Sequence, residues 1–213
     1  MTQNRTLIFS GGNLGSWALK KIAPGDFLLG VDRGAYFLIE NGISPDMAIG
    51  DFDSVTHSQL ARIKEESKEY LSCDPVQKDE TDTEMAFNWA LQRKPGEIIL
   101  LGVLGDRFDH SLANIHLLAK ALQEGVPCCI VDEKNEIFLI KDQAIIKKDQ
   151  FTQISLLPLT QQVTGITLTG FQYPLYNATL VVGHSLGISN VLSGETGKIE
   201  LASGLLLIIK SKD

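Results

Sequence analysis

The sequence predicts an α/β fold: a mainly parallel sheet with flanking helices over residues 1–142, followed by a smaller all-β, sandwich-like domain over 143–213. Three observations predict it. Short, almost continuously apolar runs recur through the first two-thirds of the chain, as expected of strands buried on both faces. Amphipathic stretches separate them, which implies right-handed crossovers and parallel pairing. In the last third helical periodicity stops, and Thr, Val, Ile and Gly dominate.

Taken in order, the apolar runs at 6–10, 27–31, 47–49, 98–104 and 128–131 read as strands, and 14–22, 35–40, 58–69, 82–92 and 110–124 as helices. The last helix has the clearest period: Leu112, Ile115, Leu118, Ala119 and Leu122 share a face, and Gly125 with Pro127 ends it. The charged stretch 141–149 reads as the connection between domains. Beyond it, 151–157, 163–168, 178–182, 187–192, 198–201 and 205–210 are short runs bounded by Gly, Pro or Asn, the spacing of an antiparallel sandwich or partial barrel. No internal repeat or low-complexity tract is visible.

Composition narrows the function classes. With 44% hydrophobic and 21% charged residues the 213-residue chain has the make-up of a globular protein. The net charge of −7 lacks the global basic footprint of a duplex nucleic-acid binder. No apolar run reaches the roughly 20 residues of a membrane helix, and the start through Phe9 is too brief for a secretory signal. Cys73, Cys128 and Cys129 form no C-x-x-C pair, so neither a disulfide framework nor a structural zinc site is expected. The expectation is a cytoplasmic protein without nucleic-acid or membrane partners.

Ligands of open parallel sheets bind beyond the carboxyl ends of the strands. Four predicted strands empty into Gly, Asp or both: Gly11-Gly12-Asn13-Leu14-Gly15, Asp32-Arg33-Gly34, Gly50-Asp51-Phe52-Asp53-Ser54 and Gly105-Asp106-Arg107-Phe108-Asp109-His110. Gly and Asp also favour turns and helix caps, so each instance alone has a bland reading. If 51–53 continue the strand, the Asp51 and Asp53 carboxylates point the same way, and a hard cation such as magnesium relieves their repulsion. In Lys78-Asp79-Glu80-Thr81-Asp82-Thr83-Glu84, Thr81 and Glu84 have capping-box spacing, which puts Asp82 in a first helical turn. The glycines at 11–15 fit neither a P-loop nor G-x-G-x-x-G and are a weak phosphate signal. Asp109 caps the long helix, Asn114 lies about a turn further on, and Arg107 is suited to a phosphate. His57, His116 and His184 lack metal-ligand spacing, and the Cys128-Cys129 pair reads as strand core.

Together with Ser44-Pro45-Asp46, Val55 and Gly187-Ile188-Ser189-Asn190, these stretches resemble the bacterial type of thiamine pyrophosphokinase over nearly the whole chain. The resemblance implies an ATP-binding catalytic domain at 1–142, a thiamine-binding and dimerisation domain at 143–213, and a homodimer with sites at the subunit interface. It implies magnesium-dependent transfer of pyrophosphate from ATP to the hydroxyl of thiamine, giving thiamine diphosphate and AMP. By motif position, Asp51, Asp53 and Asp82 match the family's catalytic, magnesium-binding acids. Asp32, Arg33, Gly34, Arg107, Asp109, His110 and Asn114 match its nucleotide site, and Ser189 and Asn190 its thiamine side. One departure is Asp106, where the family pattern often has Gly; an extra acid there bears on the phosphate contacts of Arg107.

Two other readings stand beside this one. Asp51-Phe52-Asp53-Ser54-Val55 fits the D-x-D-x-T/V pattern of haloacid-dehalogenase-like phosphatases, but that motif follows the first strand of its core, whereas two βα units precede it here. The other is a non-catalytic nucleotide-sensing module whose β domain contacts a protein.

Overall fold

A computed structural model describes residues 4–73 and 79–213; Lys78, the first residue of the acidic stretch above, lies outside them. The chain divides into two compact units, Met1–Glu133 and Lys134–Asp213.

The first unit holds β1 (Arg5–Phe9), α1 (Ser16–Leu19), β2 (Phe27–Val31), α2 (Arg33–Glu40), β3 (Met47–Gly50), α3 (His57–Glu66), β4 (Glu69–Ser72), α4 (Asp82–Gln92), β5 (Glu97–Leu101), α5 (Phe108–Gln123) and β6 (Cys128–Val131). Its strands run parallel in the order β4-β3-β2-β1-β5-β6. From β1 the chain steps outward through β2, β3 and β4, then returns to pair β5 on the other side of β1. The direction of winding reverses between β1 and β5, which makes that crevice the expected ligand site. Both strands are apolar because both faces of the sheet are covered. Leu7 and Phe9 pack with Ala18 of α1 and Leu38 of α2, and by alternation the fully buried Ile8 faces the opposite side.

Several boundaries differ from those the sequence suggests, each for a local reason. The run expected to extend to residue 104 ends at Leu101, because Gly102 turns the chain at φ 66°. The first helix shortens to Ser16–Leu19, with Lys21 and Ile22 bonded back to Ala18 and Leu19 in a tight turn before Pro24 and Gly25. The third ends at Glu66 rather than 69. The amides of Lys68 and Glu69 are captured by the carbonyls of Pro45 and Asp46, which starts β4. This edge strand, Glu69-Tyr70-Leu71-Ser72, is too polar to stand out as an apolar run.

The second unit contains β7 (Asn135–Ile140), β8 (Gln143–Lys147), β9 (Gln153–Pro158), β10 (Gln162–Thr169), β11 (Ala178–Val181), β12 (Thr196–Glu200) and β13 (Leu206–Ser211). They form two antiparallel arrays, β7-β13-β9 and β11-β10-β12-β8. Between them Ile154, Leu156, Val163, Ile166, Ile199 and Ile208 belong to one buried cluster. The stretch 141–149 is not a connection: β8 lies inside it and pairs with β12 from Gln143 to Lys147. The unit starts at Lys134, earlier than the expected 143, because β7 pairs with β13 over its full length. Residues 187–192 form no strand. Ser189 at φ 58° breaks the extended run, leaving single bridges at Asn190 and Leu192.

Candidate functional site

A cleft of about 510 Å³ opens at the carboxyl edge of the parallel sheet, at the crevice between β1 and β5. It is lined by 10–13 after β1, 31–33 at the end of β2, 81–83 at the start of α4, 102–107 after β5, and His110, Ser111 and Asn114 of α5. The loops after β1 and β5 are joined by backbone hydrogen bonds: Ser10 N–H to Leu101 O at 2.8 Å, Gly12 N–H to Gly102 O at 2.8 Å, and Asn13 N–H to Leu104 O at 3.2 Å. A Cβ on Gly12 would lie 2.5 Å from Gly102 O and 2.6 Å from Leu104 O, so only glycine permits this approach. The hydroxyls of Ser10 and Thr83, 2.9 Å apart, tie the same loop to α4.

Four acidic residues meet beside this cleft. The amides of 51, 52 and 53 donate in succession to three carboxylates: Asp51 N–H to Asp82 Oδ1 at 3.1 Å, Phe52 N–H to Asp32 Oδ1 at 2.9 Å, and Asp53 N–H to Asp51 Oδ1 at 3.1 Å. One oxygen each from Asp32, Asp51 and Asp82 lie within 4.8 Å of one another, and all three residues are half-buried. Such crowding is costly for like charges and is relieved by a cation, and three carboxylate oxygens suit a hard divalent ion. The extended geometry expected for 51–53 is not observed. The strand stops at Gly50, and Phe52 adopts φ 58°; Asp53 beyond it is exposed. A left-handed conformation costs a bulky residue on the order of 1–3 kcal/mol, which the surroundings must offset. Here Phe52 is 4% exposed, with its ring stacked 5.0 Å from that of Tyr70.

Asp32 stands at the N-cap position of α2 but makes no side-chain cap bond; its Oδ1 is turned to Phe52 instead. Arg33 lines the cleft. Gly34 does not: a Cβ there would sit 1.9 Å from Phe9 O, so its glycine serves the contact of α2 with β1. Thr81 caps α4 by accepting the Glu84 amide at 3.1 Å, while the Glu84 carboxylate lies 3.9 Å from Lys120 Nζ. That cap puts Asp82 in the first turn, where the helix dipole favours negative charge.

At the other wall Arg107 and Asp109 form an exposed ion pair at 2.7 Å. Arg107, rather than Asp109, occupies the N-cap position of α5. The guanidinium hydrogen bond, followed by the His110 amide, holds the Asp109 carboxyl down to about 2. Asn114 is buried and donates from Nδ2 to Val103 O at 2.8 Å, while Ser111 Oγ accepts the Gly105 amide at 3.2 Å. Both fix the loop after β5. Ser10, Thr83 and Ser111 are cleft residues that sequence reading missed; only the position of Ser10 at the end of the first apolar run hinted at one of them.

In the second unit the Asn190 amide is occupied by backbone. Its Oδ1 accepts from Tyr173 N–H at 3.1 Å and Val191 N–H at 2.9 Å, and its Nδ2 donates to Tyr173 O at 2.7 Å. This two-sided clasp fixes Tyr173, whose side chain stays 60% exposed. Ser189 is exposed, and its amide donates to Ser155 Oγ at 3.0 Å.

Residues 20–130 match the family model for the thiamin pyrophosphokinase catalytic domain, and 143–206 match that for the thiamin pyrophosphokinase vitamin B1 binding domain. The chain is 37% identical to thiamine pyrophosphokinase of Bacillus subtilis (strain 168) over 187 residues, which is 87% of each chain. A crystal structure of the Bacillus subtilis enzyme superimposes with a TM-score of 0.91 at 33% identity, covering 99% of this chain and 100% of that one. The thiamin pyrophosphokinase of Geobacillus thermodenitrificans gives 0.89 at 31% identity, covering 98% of each. Both domain models match in sequence order, and the likeness runs nearly end to end; the chain belongs to the thiamin pyrophosphokinase family.

Proposed function

We propose that the chain transfers the pyrophosphoryl group of ATP to the hydroxyl of thiamine, releasing AMP and thiamine diphosphate. The observation that carries this reading is the Asp32, Asp51 and Asp82 trio beside a glycine-walled cleft at the sheet's switch point. The hydroxyl oxygen forms a bond to the β-phosphorus, the bond from that phosphorus to the α–β bridging oxygen breaks so that AMP leaves, and the hydroxyl proton passes to water or a nearby carboxylate. Such a transfer depends on positioning and on charge neutralisation. A magnesium ion would be held by Asp51 and Asp82, with Asp32 within reach and Asp53 added by the resemblance; bound there, it neutralises phosphate charge.

The chain's own residues do the rest. The loops after β1 and β5 give the phosphates a Cβ-free surface at Gly11, Gly12, Gly102 and Gly105. Arg107 supplies an exposed cation on one wall, and Arg33 and His110 line the same cleft for the nucleotide. Asn114 acts by holding Val103, and Asp109 by orienting Arg107. For thiamine, the ring of Tyr173 is an aromatic face for a thiazolium cation, with exposed Ser189 nearby in sequence to the Asn190 clasp. We further propose a homodimer with shared sites. Leu186 and Val182 of the second unit are 62% and 58% exposed, the kind of surface a second copy would cover.

The phosphatase reading is not favoured, because the D-x-D stretch follows the third strand of the sheet, and the sensing module is not favoured by the family match. Incubation with ATP, magnesium and thiamine tests the proposal: AMP with thiamine diphosphate supports it, and ADP with thiamine monophosphate overturns it.

A further inference from the structure

The three consecutive amides that meet the carboxylates depend on one buried ring. A chain continuing β3 would alternate its N–H groups; the left-handed turn at Phe52 makes those of 51, 52 and 53 converge on Asp82, Asp32 and Asp51. Successive amides curled in this way form a concave nest for negative charge, and here the charges are the protein's own. The Asp51 carboxylate closes the turn on one side by accepting the Asp53 amide. The apolar restraint comes from the other side. Phe52 belongs to the cluster of Ala35, Ile39, Ala48 and Ile63, and its ring stacks on Tyr70 of the edge strand β4 at 5.0 Å and 23°. Gly50 completes the fit, since a Cβ there would lie 1.9 Å from Asp32 Oδ1.

We propose that Phe52 is a positioning residue: its buried ring, stacked on Tyr70, holds the turn whose amides set the Asp32, Asp51 and Asp82 carboxylates for a divalent cation. The proposal rests on the metal reading above. It assigns to a purely apolar side chain the role that hydrogen-bonding partners of ligands usually play, and losing such partners typically weakens metal affinity by about 10- to 100-fold. Phe52→Gly keeps the left-handed turn sterically easy while removing the anchor.

The test measures binding of Mn2+ alone, by electron paramagnetic resonance, in the full chain without nucleotide, beside thermal melting and the split of kcat from KM. Asp51→Asn marks the site, and Ile63→Val loosens the same cluster without touching the turn. The expected result is a loss of Mn2+ affinity of about 10-fold or more in Phe52→Gly. Its kcat falls at fixed magnesium and recovers in part at high magnesium, while KM for thiamine stays put. Ile63→Val melts earlier but binds Mn2+ like wild type. If Phe52→Gly does not fold, Tyr70→Leu removes the stack alone and carries the same expectation in weaker form. Wild-type Mn2+ affinity in the folded Phe52 or Tyr70 variant overturns the positioning role while leaving the metal reading intact. Mn2+ binding unaffected by Asp51→Asn overturns the metal reading, and the positioning role with it.

Discussion

The backbone amide of Asp51 donates to Oδ1 of Asp82 at 3.1 Å, joining the chain just past β3 to the first turn of α4. Two acids far apart in sequence are thereby linked through main chain. The consequences for catalysis and stability can be measured one residue at a time.

Asp51→Asn and Asp53→Asn are nearly isosteric changes at half-buried and exposed positions. Each is expected to leave the melting temperature close to wild type. Each should lower turnover by about two to three orders of magnitude, as loss of an electrostatic stabiliser does. Steady-state assays across a magnesium titration check this, and near-wild-type rates in either variant remove that residue from the metal set.

Arg107→Ala should raise KM for ATP about tenfold or more, because a charged hydrogen bond contributes on the order of 1.5–3 kcal/mol, and should leave KM for thiamine within about twofold. The Arg107–Asp109 pair gives a pH signature. The Asp109 carboxyl titrates near 2, below the ordinary 3.8, so the pair persists through mild acid and is lost only as pH falls through the lower value. An NMR titration should show that midpoint in wild type and its return toward 3.8 in Arg107→Ala.

Gly34→Ala places a Cβ 1.9 Å from the Phe9 carbonyl oxygen. Backbone cannot yield as a flexible side chain does, so urea unfolding should show a loss of about 1–3 kcal/mol. A neutral result would mean that α2 shifts freely on β1.

Lys210 is 7% exposed and bonds Glu136 at 3.0 Å and also Asp149. Burial pulls its ammonium down, but hydrogen bonds and charge from the two acids outweigh it, so its pKa stands above 10.5. Its stabilising contribution is therefore complete below 10.5 and fades as pH rises through the folded value. Lys210→Met should cost about 1–3 kcal/mol, less than a fully buried pair because the two acids keep some solvent contact. Unfolding curves should show that gap constant from neutral pH to pH 9.

Tyr173→Ala should raise KM for thiamine about 2- to 30-fold, the range of a cation–π contact, with KM for ATP unchanged. An equal rise for both substrates would mean a general loss of structure.

The parallel sheet was legible because β1, β2, β5 and β6 are largely buried and so are nearly continuous in apolar residues. The edge strand β4 was not, since exposure frees Glu69 and Ser72 to be polar. Of the site, Asp51 and Asp82 stood out as acids after a strand and in a helix's first turn. That Asp32 joins them depends on the turn at Phe52, a backbone conformation that an aromatic residue gives no sign of. Ser189 and Asn190 were singled out by family likeness alone. The local role of Asn190, a clasp on the Tyr173 backbone, depends on a contact across seventeen residues that no pattern encodes.

Labelled ATP gives the sharpest test of the proposed chemistry. The protein is incubated with magnesium, thiamine and ATP carrying radiophosphorus at its β position, and the products are separated by chromatography. Attack at the β-phosphorus moves the label into thiamine diphosphate and leaves AMP unlabelled, and Asp51→Asn slows the movement by about two to three orders of magnitude. Label retained in ADP, with thiamine monophosphate as the other product, would contradict the assignment.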